Sequence, residues 1–406
     1  MNPLLLSGWG VKIRVQGLKS ASELTITNGR EDTRQHVTMR FRPRRFPYDS
    51  IAVDGYSGYL SLRALHWLSR NQVPVYILDV DGALLSSILP SMPVKADLRV
   101  AQVHAMDDPK KRFSIAHALV KAKIARSLQV LNWLEQRYDV EREIGKAKHE
   151  AATLGNAETV SEIRTVEGRV ALRYWETFRK ALPESLSFAG RMTTTHQNNA
   201  SDPFNAALNF GYGILQGEVR RAVNAVGLEP SLGFLHDFSD YQTKQSLVYD
   251  LMEPFRWLVD LAVLQGFESE VLDWRSFYFT ADDYRYRFTH EAKKRFVGAL
   301  RERFNAGVNY KGRVLKWDTA IEQKASELGR FLTGKSSRLD FDEPAPSLDR
   351  QDDRGLRAKI LALTASEARR AGIGKSTLHY LRRNARERAI FKLYEPLKRR
   401  LVVGPA

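Results

Sequence analysis

From about residue 99 to 333 the chain keeps placing apolar side chains at helical spacing, and this run limits the fold more than any other feature of its 406 residues. RFSIAHALVKAKIARSLQVLNWLEQ (112–136) sets them at i, i+3, i+4 and i+7 over several turns, which marks an amphipathic helix with one buried face. SDPFNAALNFGYGILQGEVRRAVNAVG is punctuated at both ends. Asp202 suits the N-cap, Pro203 the first helical position and Gly227 the residue just past the C-terminus. The first 95 residues differ. VKIRVQ (11–16) and LTITNG (24–29) alternate with period two, Asn28-Gly29 is a turn signal, and HVTMRF (36–41) and SIAVDG (50–55) continue the pattern. SLRALHWLSR (61–70) reads as a helix and VPVYILDVDG (73–82) as a buried-type strand closing on an Asp-Gly turn, before LPSMP (89–93) breaks the pattern. The periodicities predict an α+β protein, with a small N-terminal β-rich domain over residues 1–95 and a larger all-α domain over 96–335.

Charge divides the remainder. SSRLDFDEPAPSLDRQDD (336–353) holds six acids, two arginines and two prolines and reads as an acidic linker of net −4. Residues 354–406 reverse the sign, with fourteen Lys/Arg against three Glu, net +11. The whole chain carries +16, which leaves +9 on residues 1–335, so body and tail both favour a polyanionic partner. Nucleic acid is preferred over a membrane. No apolar run reaches the ~20 residues of a spanning helix, and WLVDLAVLQGF is interrupted by Asp260. The start, MNPLLLSGWG, lacks the charged and apolar regions of a signal peptide, so a cytoplasmic location is expected. With no cysteine, disulfides, zinc ribbons and a thiol nucleophile are excluded.

The tail stretch LTASEARRAGIGKSTLHYLRRNARE reads as a helix-turn-helix. Thr364 and Glu367 form a capping box, Gly372 supplies the turn, and a second helix starts near Lys375 with Leu378 and Leu381 inward. Lys375, Ser376, His379, Arg382 and Arg383 are left to face a DNA groove, the plainer alternative being a solvated helical hairpin. GKST (374–377) is not a phosphate-binding P-loop, because the required first glycine would fall on Arg369.

Three stretches of the helical region carry unusual residue choices. In TVEGRVALRYWETF (165–178), Glu167 precedes Gly168, and a mid-helix glycine costs about 1 kcal/mol against alanine. That is tolerable where something must approach the backbone. GLEPSLGFLH (227–236) is a shaped loop that delivers His236. In SLVYDLMEPFRWLVD (246–260), Ser246 can cap a helix on which Asp250 and Glu253 share a face. Pro254 cannot bond the carbonyl of Asp250, so the helix should kink or open there. Alone, each has a plainer reading: a surface acid, a structural histidine, an acid pair answered by Arg256. Together, two carboxylates and an imidazole form a hard ligand set suited to Mg²⁺ or Mn²⁺, and in a basic protein that points to phosphodiester chemistry.

These stretches, in this order and spacing, resemble the CRISPR-associated adaptation integrase–endonuclease family, over about residues 1–335. EGRVALRYWETF looks like its Glu-Gly helix. DPFNAALNFGYGILQGEVRRAVNAVGLEPSLGFLH looks like its long helix and Gly-Leu-x-Pro-x-x-Gly-Phe-x-His loop, and SLVYDLMEPFR like its Asp-Leu-x-Glu-x-x-Arg segment. The resemblance implies a β-domain for dimerisation and partner contact, and a helical catalytic domain in which Glu167, His236 and Glu253 bind the metal and Asp250 assists. It implies a homodimer working with a small ferredoxin-like CRISPR-associated partner on double-stranded and branched DNA. A DNA 3′-hydroxyl would be joined to the repeat backbone by transesterification, for antiviral defence. Arg191, Asn205, Asn209 and Tyr212 match family positions, Arg191 and Tyr212 being DNA-contact candidates, although a core tyrosine fits equally. In HEAKKRF (290–296), Lys293 and Lys294 are phosphate-contact candidates, with a solvated face as the alternative. The linker and tail depart from the family core and resemble those of casposon transposases, which would act on transposon ends by the same chemistry. The rival from another class is a DNA-binding protein without catalysis, resting on the tail; a sugar hydrolase leaves the basic charge unexplained.

Overall fold

The computed structural model describes residues 2–17, 22–28, 37–55, 57–79, 82–90, 95–135, 138, 140–182, 186–191, 200–236, 245–269, 271–281, 285–342, 344, 348, 360–370 and 373–387. Gly29, Gly372 and residues 388–406 lie outside them, so the turn readings at those two glycines are untouched.

Two four-stranded sheets make up the N-terminal part. The first runs β1(Pro3–Ser7), β5(Ser50–Asp54), β7(Val75–Leu78), β8(Leu84–Ile88); its first three strands are parallel and the last antiparallel. The second runs β4(Thr38–Phe41), β3(Glu23–Thr27), β2(Val11–Gln16), β6(Gly58–Leu60). Alternation in VKIRVQ puts Val11 and Ile13 inside and Lys12 and Arg14 outside. Helix α1(Leu62–Arg70), capped by the Ser61 hydroxyl, lays Trp67 and Leu68 into the same small core. β1 and β8 were not legible as strands, because PLLLS and LLSSI are short and lack alternation.

The larger part begins with α2(Ala96–Asp107) and α3(Pro109–Glu135), then α4(Glu141–Ala152), α5(Val160–Ala181), α6(Pro203–Val226), α7(Ser246–Met252), α8(Arg256–Glu268), α9(His290–Asn305) and α10(Trp317–Leu332). α6 and α8 are apolar on nearly every side, so both are enclosed by other helices instead of presenting one wet face. Asp202 caps α6 by accepting from Asn205 N, and Gly227 closes it in the left-handed region (φ 90°).

The expectation of an all-α region is corrected by two hairpins: β9(Phe277–Thr280) with β10(Arg285–Phe288), and β11(Gly307–Tyr310) with β12(Arg313–Lys316). FYFT and RYRF have high β-propensity, and Lys311 (φ 50°) and Gly312 (φ 79°) form the tight two-residue turn of β11–β12. The acidic linker is also not free at its start. Phe341 is buried in the main core, Lys324 Nζ donates to Asp340 O at 2.7 Å, Arg126 donates to Asp342 O, and Lys121 pairs with the Asp342 carboxylate at 3.2 Å.

The N-terminal sheets are fixed to the helical part by backbone packing. Gly82 (φ 85°) sets its carbonyl directly over Gly213 on α6, and a Cβ at either glycine would collide with the other segment's backbone. A Gly213→Ala change is therefore expected to destabilise by about 1–3 kcal/mol, as overpacked sites do, read as a lower midpoint in denaturant at unchanged slope.

After the main body come α11(Ala365–Arg370) and α12(Lys375–Glu387). Thr364 N–H donates to Glu367 Oε2 at 2.7 Å and Glu367 N–H to Thr364 Oγ1 at 3.3 Å, the reciprocal pair that begins α11. Ile360, Leu363, Ala368, Ile373, Leu378, Leu381 and Ala385 form a separate small core.

Candidate metal and DNA site

The break in the α7–α8 helix organises the site. Pro254 has no N–H, and Glu253 N–H reaches only the Asp250 carbonyl as the chain tightens into a 3₁₀ turn over Glu253–Phe255. α8 then restarts at Arg256. The cap position of α7 falls on Gln245, whose side chain does not cap; Ser246 is the first helical residue and is buried, not the cap expected.

Asp250 is fully buried. Its carboxylate accepts from the backbone N–H groups of Phe234 (2.6 Å), Leu235 (2.9 Å) and His236 (3.1 Å) and pairs with His236 Nδ1 at 2.7 Å. One carboxylate thus fixes both the loop and the orientation of the imidazole. Gly233 makes room for it, since a Cβ there would lie 2.6 Å from Ser246 Cβ and 2.9 Å from Asp250 Oδ2. Burial alone would lower the His236 pKa; the bond to Asp250 and the charges of Asp250 and Glu253 outweigh it and raise it. With Nδ1 turned to Asp250, Nε2 is the nitrogen left for another partner.

Glu167 projects from the middle of α5 and Glu253 from the 3₁₀ turn, and the Lys123 ammonium, from α3, stands between them. It donates to Glu167 Oε1 and lies 2.5 Å from Glu253 Oε2. Arg256 Nε donates to Glu253 Oε1 at 2.9 Å. Burial would raise the Glu253 pKa, but Arg256 and Lys123 hold it well below the usual carboxylate range. Burial would likewise lower the Lys123 pKa, and Glu253 and Glu167 raise it. Both groups are therefore charged at neutral pH.

Behind these lies a second polar layer. Asp260 accepts from Tyr174 OH at 2.8 Å and from Tyr212 OH, and burial pushes its carboxyl up to about 6. The guanidiniums of Arg256 and Arg191 lie 4.8 and 5.2 Å from the Tyr212 ring centroid, and Arg191 donates to Asn205 (3.3 Å) and Asn209 (3.1 Å). Lys123, Glu167, His236, Glu253, Arg191 and Tyr212 all line one cleft of about 710 Å³.

Among the described residues, no three His, Asp or Glu side chains are drawn close enough to hold a metal ion. The Lys123 ammonium stands between two of the candidate ligands, Glu167 and Glu253. The donor set nevertheless fits a divalent cation. Glu253 Oε2 is buried and faces the Lys123 ammonium at 2.5 Å, so this corner already takes a positive charge.

A family model described as CRISPR associated protein Cas1 matches residues 22–302. The chain belongs to the Cas1 family. A CRISPR-associated endonuclease Cas1 of Archaeoglobus fulgidus is 31% identical over 299 residues, 68% of this chain and 84% of that protein. One of Methanospirillum hungatei is 26% identical over 82% of this chain and 96% of its own length. Among solved structures, a casposase bound to integration product superposes with TM-score 0.79 at 36% identity, covering 89% of this chain and 99% of that one. A Cas1 protein from Thermotoga maritima shares the fold, with TM-score 0.62 at 17% identity over 82% of this chain and 97% of that one.

Within this Cas1 chain the cleft gathers Glu167, His236 and Glu253 and sets Asp250 behind them. The weaker DNA-contact expectations divide. Arg191 borders the cleft but is engaged with Asn205 and Asn209, and Tyr212 is buried on Asp260, so the core alternative describes it better. The phosphate-contact reading of Lys293 is corrected: it is buried in an ion pair with Asp54 of β5, where it ties α9 to the sheet. Lys294 is exposed and pairs with Glu291 at 3.3 Å. In the tail, Lys375 and Arg383 are exposed. Arg382 instead donates to Leu363 O, which corrects its placement on the groove-facing side. Sequence reading missed Lys123, Asp260 and Tyr174. Lys123 sits at i+4 from Leu119 and one residue before Ile124 on a core helix, and nothing local marks a lysine there as buried.

Gly168 faces the cleft, and among the described residues a Cβ there would meet nothing within 4 Å. No described side chain fills the gap. Gly168→Ala is expected to stabilise α5 by about 0.5–1 kcal/mol while lowering strand transfer, if DNA approaches this backbone; thermal melts and joining assays on the same sample read both.

Proposed function

We propose that this chain is a metal-dependent DNA endonuclease and integrase that inserts short DNA into a CRISPR array by 3′-hydroxyl transesterification, in prokaryotic antiviral defence. The observation that carries the reading is that Glu167, His236 and Glu253 line one cleft, with the Lys123 ammonium held between the two carboxylates, in a chain of charge +16. Glu167, His236 and Glu253 would hold a Mg²⁺ or Mn²⁺ ion. When bound, it would polarise the target phosphate and lower the pKa of the attacking hydroxyl. The protein's own groups do the rest. Asp250 fixes the imidazole with Nε2 outward, and Arg256 keeps Glu253 ionised. The incoming 3′-oxygen bonds to phosphorus as the target strand's bridging P–O bond breaks, so the number of phosphodiester bonds is conserved and no protein nucleophile is needed.

The family supports double-stranded and branched DNA as substrate and a homodimer as the working unit. A similar fold occurs in a complex described as Cas6-RT-Cas1–Cas2; a small ferredoxin-like partner for this chain is part of the proposal. Among the described residues no helix is long and apolar enough to cross a membrane. A cytoplasmic location is part of the proposal and rests on the DNA substrate. The separate basic C-terminal helix pair fits a helix-turn-helix that contacts DNA through Lys375 and Arg383. A second reading is favoured by the likeness to the casposase, at 36% identity over 89% of this chain: integration of transposon ends by the same chemistry.

The test supplies labelled DNA with a free 3′-hydroxyl, a plasmid carrying a CRISPR repeat or a target site for a mobile element, and Mn²⁺, with an EDTA control. Joining only with metal is expected, and repeat-specific joining assigns spacer integration. Metal-independent binding without joining to any target would leave a DNA-binding protein instead. A pH series adds a check. A ligating His236 must be unprotonated, and its pKa is raised above 6.5, so its proton competes with metal up to higher pH than in a free imidazole. Metal affinity is expected to fall about tenfold per unit on the acid side of that pKa, and calorimetric titration with Mn²⁺ measures it.

A further inference from the structure

We propose that the β9–β10 hairpin is a stacking platform for unpaired DNA bases beside the catalytic cleft. The inference takes DNA as substrate from the proposed function and adds a binding surface to it. Among the described residues five aromatic side chains count as exposed, and three of them fall within six positions: Trp274 (67%), Tyr278 (48%) and Phe279 (49%).

The register explains why they are held outward. Phe277 pairs with Phe288 and Phe279 with Tyr286, so these four share one face of the ribbon. The inner pair is rooted in the core, Phe277 stacking on Phe267 at 5.9 Å and Phe288 on Phe296 at 5.4 Å. The outer pair, with ring centroids 5.2 Å apart, continues the same aromatic face toward solvent. On the opposite face Tyr278 stands across from Arg287, and Thr280 from Arg285. Just before β9, the Arg275 guanidinium lies 5.2 Å from the Trp274 ring centroid. Planar rings interleaved with guanidiniums are the combination that binds single strands, the rings taking base faces and the cations the phosphates. Paired bases hide their faces, so a duplex would use only the arginines.

The hairpin is placed to serve the cleft. Tyr286 N–H donates to Ala200 O at 2.8 Å, just before Asp202 caps α6, and Asn205 and Asn209 on the first turns of α6 hold Arg191 at the cleft wall. The described residues 271–281 and 285–288 carry three arginines and one acid, Asp273, which is engaged by Ser276. Asp282 and Asp283, between the two strands in sequence, lie outside the described residues.

The test measures fluorescence anisotropy of a short labelled oligothymidylate and of a blunt duplex, in EDTA so that no chemistry occurs. The variants are Tyr278→Leu/Phe279→Leu and Trp274→Leu, which keep apolar bulk and remove the ring. Single-strand affinity is expected to fall roughly 5- to 150-fold per lost stack, with duplex affinity within about twofold. Arg275→Gln, an exposed change that leaves the ribbon intact, should lower the salt slope of single-strand binding by about 0.7 and keeps the test open if the double variant melts early. Unchanged single-strand binding overturns the proposal, as does equal loss for duplex and single strand. A shift in oligomeric state with DNA affinity intact also overturns it, and makes the hairpin a protein interface. If the wild type joins no DNA while the variants lose single-strand binding, the function reading fails and the hairpin stands.

Discussion

Glu167→Ala and His236→Ala are each expected to cut metal-dependent strand transfer by about 10³-fold or more while moving the melting temperature little. A bound cation supplies several kcal/mol of transition-state stabilisation, and each 1.4 kcal/mol is about tenfold in rate. Both side chains are partly exposed at the cleft, so neither truncation empties the core. Asp250 is the contrasting case. It touches the reaction only through His236, yet it holds three backbone N–H groups and the imidazole from a fully buried position. Asp250→Ala strands those donors and should cost about 3–5 kcal/mol of stability as well as activity. Steady-state joining and denaturant unfolding on the same three variants separate the roles. Wild-type joining by Glu167→Ala, or a stable Asp250→Ala, would contradict the assignment.

The second large effect is expected at Lys123. Lys123→Met removes the ammonium between Glu167 and Glu253 and leaves one buried carboxylate short of a partner. Loss of about 3–5 kcal/mol is expected in EDTA, since breaking a buried ion pair leaves its charge uncompensated. A divalent cation and Lys123 share the same oxygens, so Mn²⁺ should raise the melting temperature of the variant more than that of the wild type. Equal metal-induced shifts would mean that Lys123 does not occupy the cation's place.

The site was legible in part because its chemistry left local marks. Glu-Gly inside a helix, a glycine-shaped loop ending in His236, and a proline between Asp250 and Arg256 are unusual choices within a helical pattern; the first sits in the unbroken middle of α5, and the proline lies where the helix is interrupted. Lys123, Tyr174 and Asp260 left none, because each sits on an otherwise regular helix and gains its role from partners 44, 86 or 48 residues away. The same reason explains Lys293. A lysine in a basic helical run looks solvated, and only the approach of Asp54, 239 residues distant, buries it.

By itself the sequence determined the periods and punctuation: most strands before residue 95, the long helices after it, the caps of α6, the break at Pro254 and the separate basic tail. These depend on neighbours within a few residues, where backbone sterics and local hydrogen bonds act. Tertiary structure alone decided which charges are buried and with whom, where two helical-region hairpins project, and that the acidic segment near Phe341 lies docked on α3 and α10. Those outcomes depend on long-range contacts. Desolvation and charge pairing act through space, and the linear order of residues does not display who will be near whom.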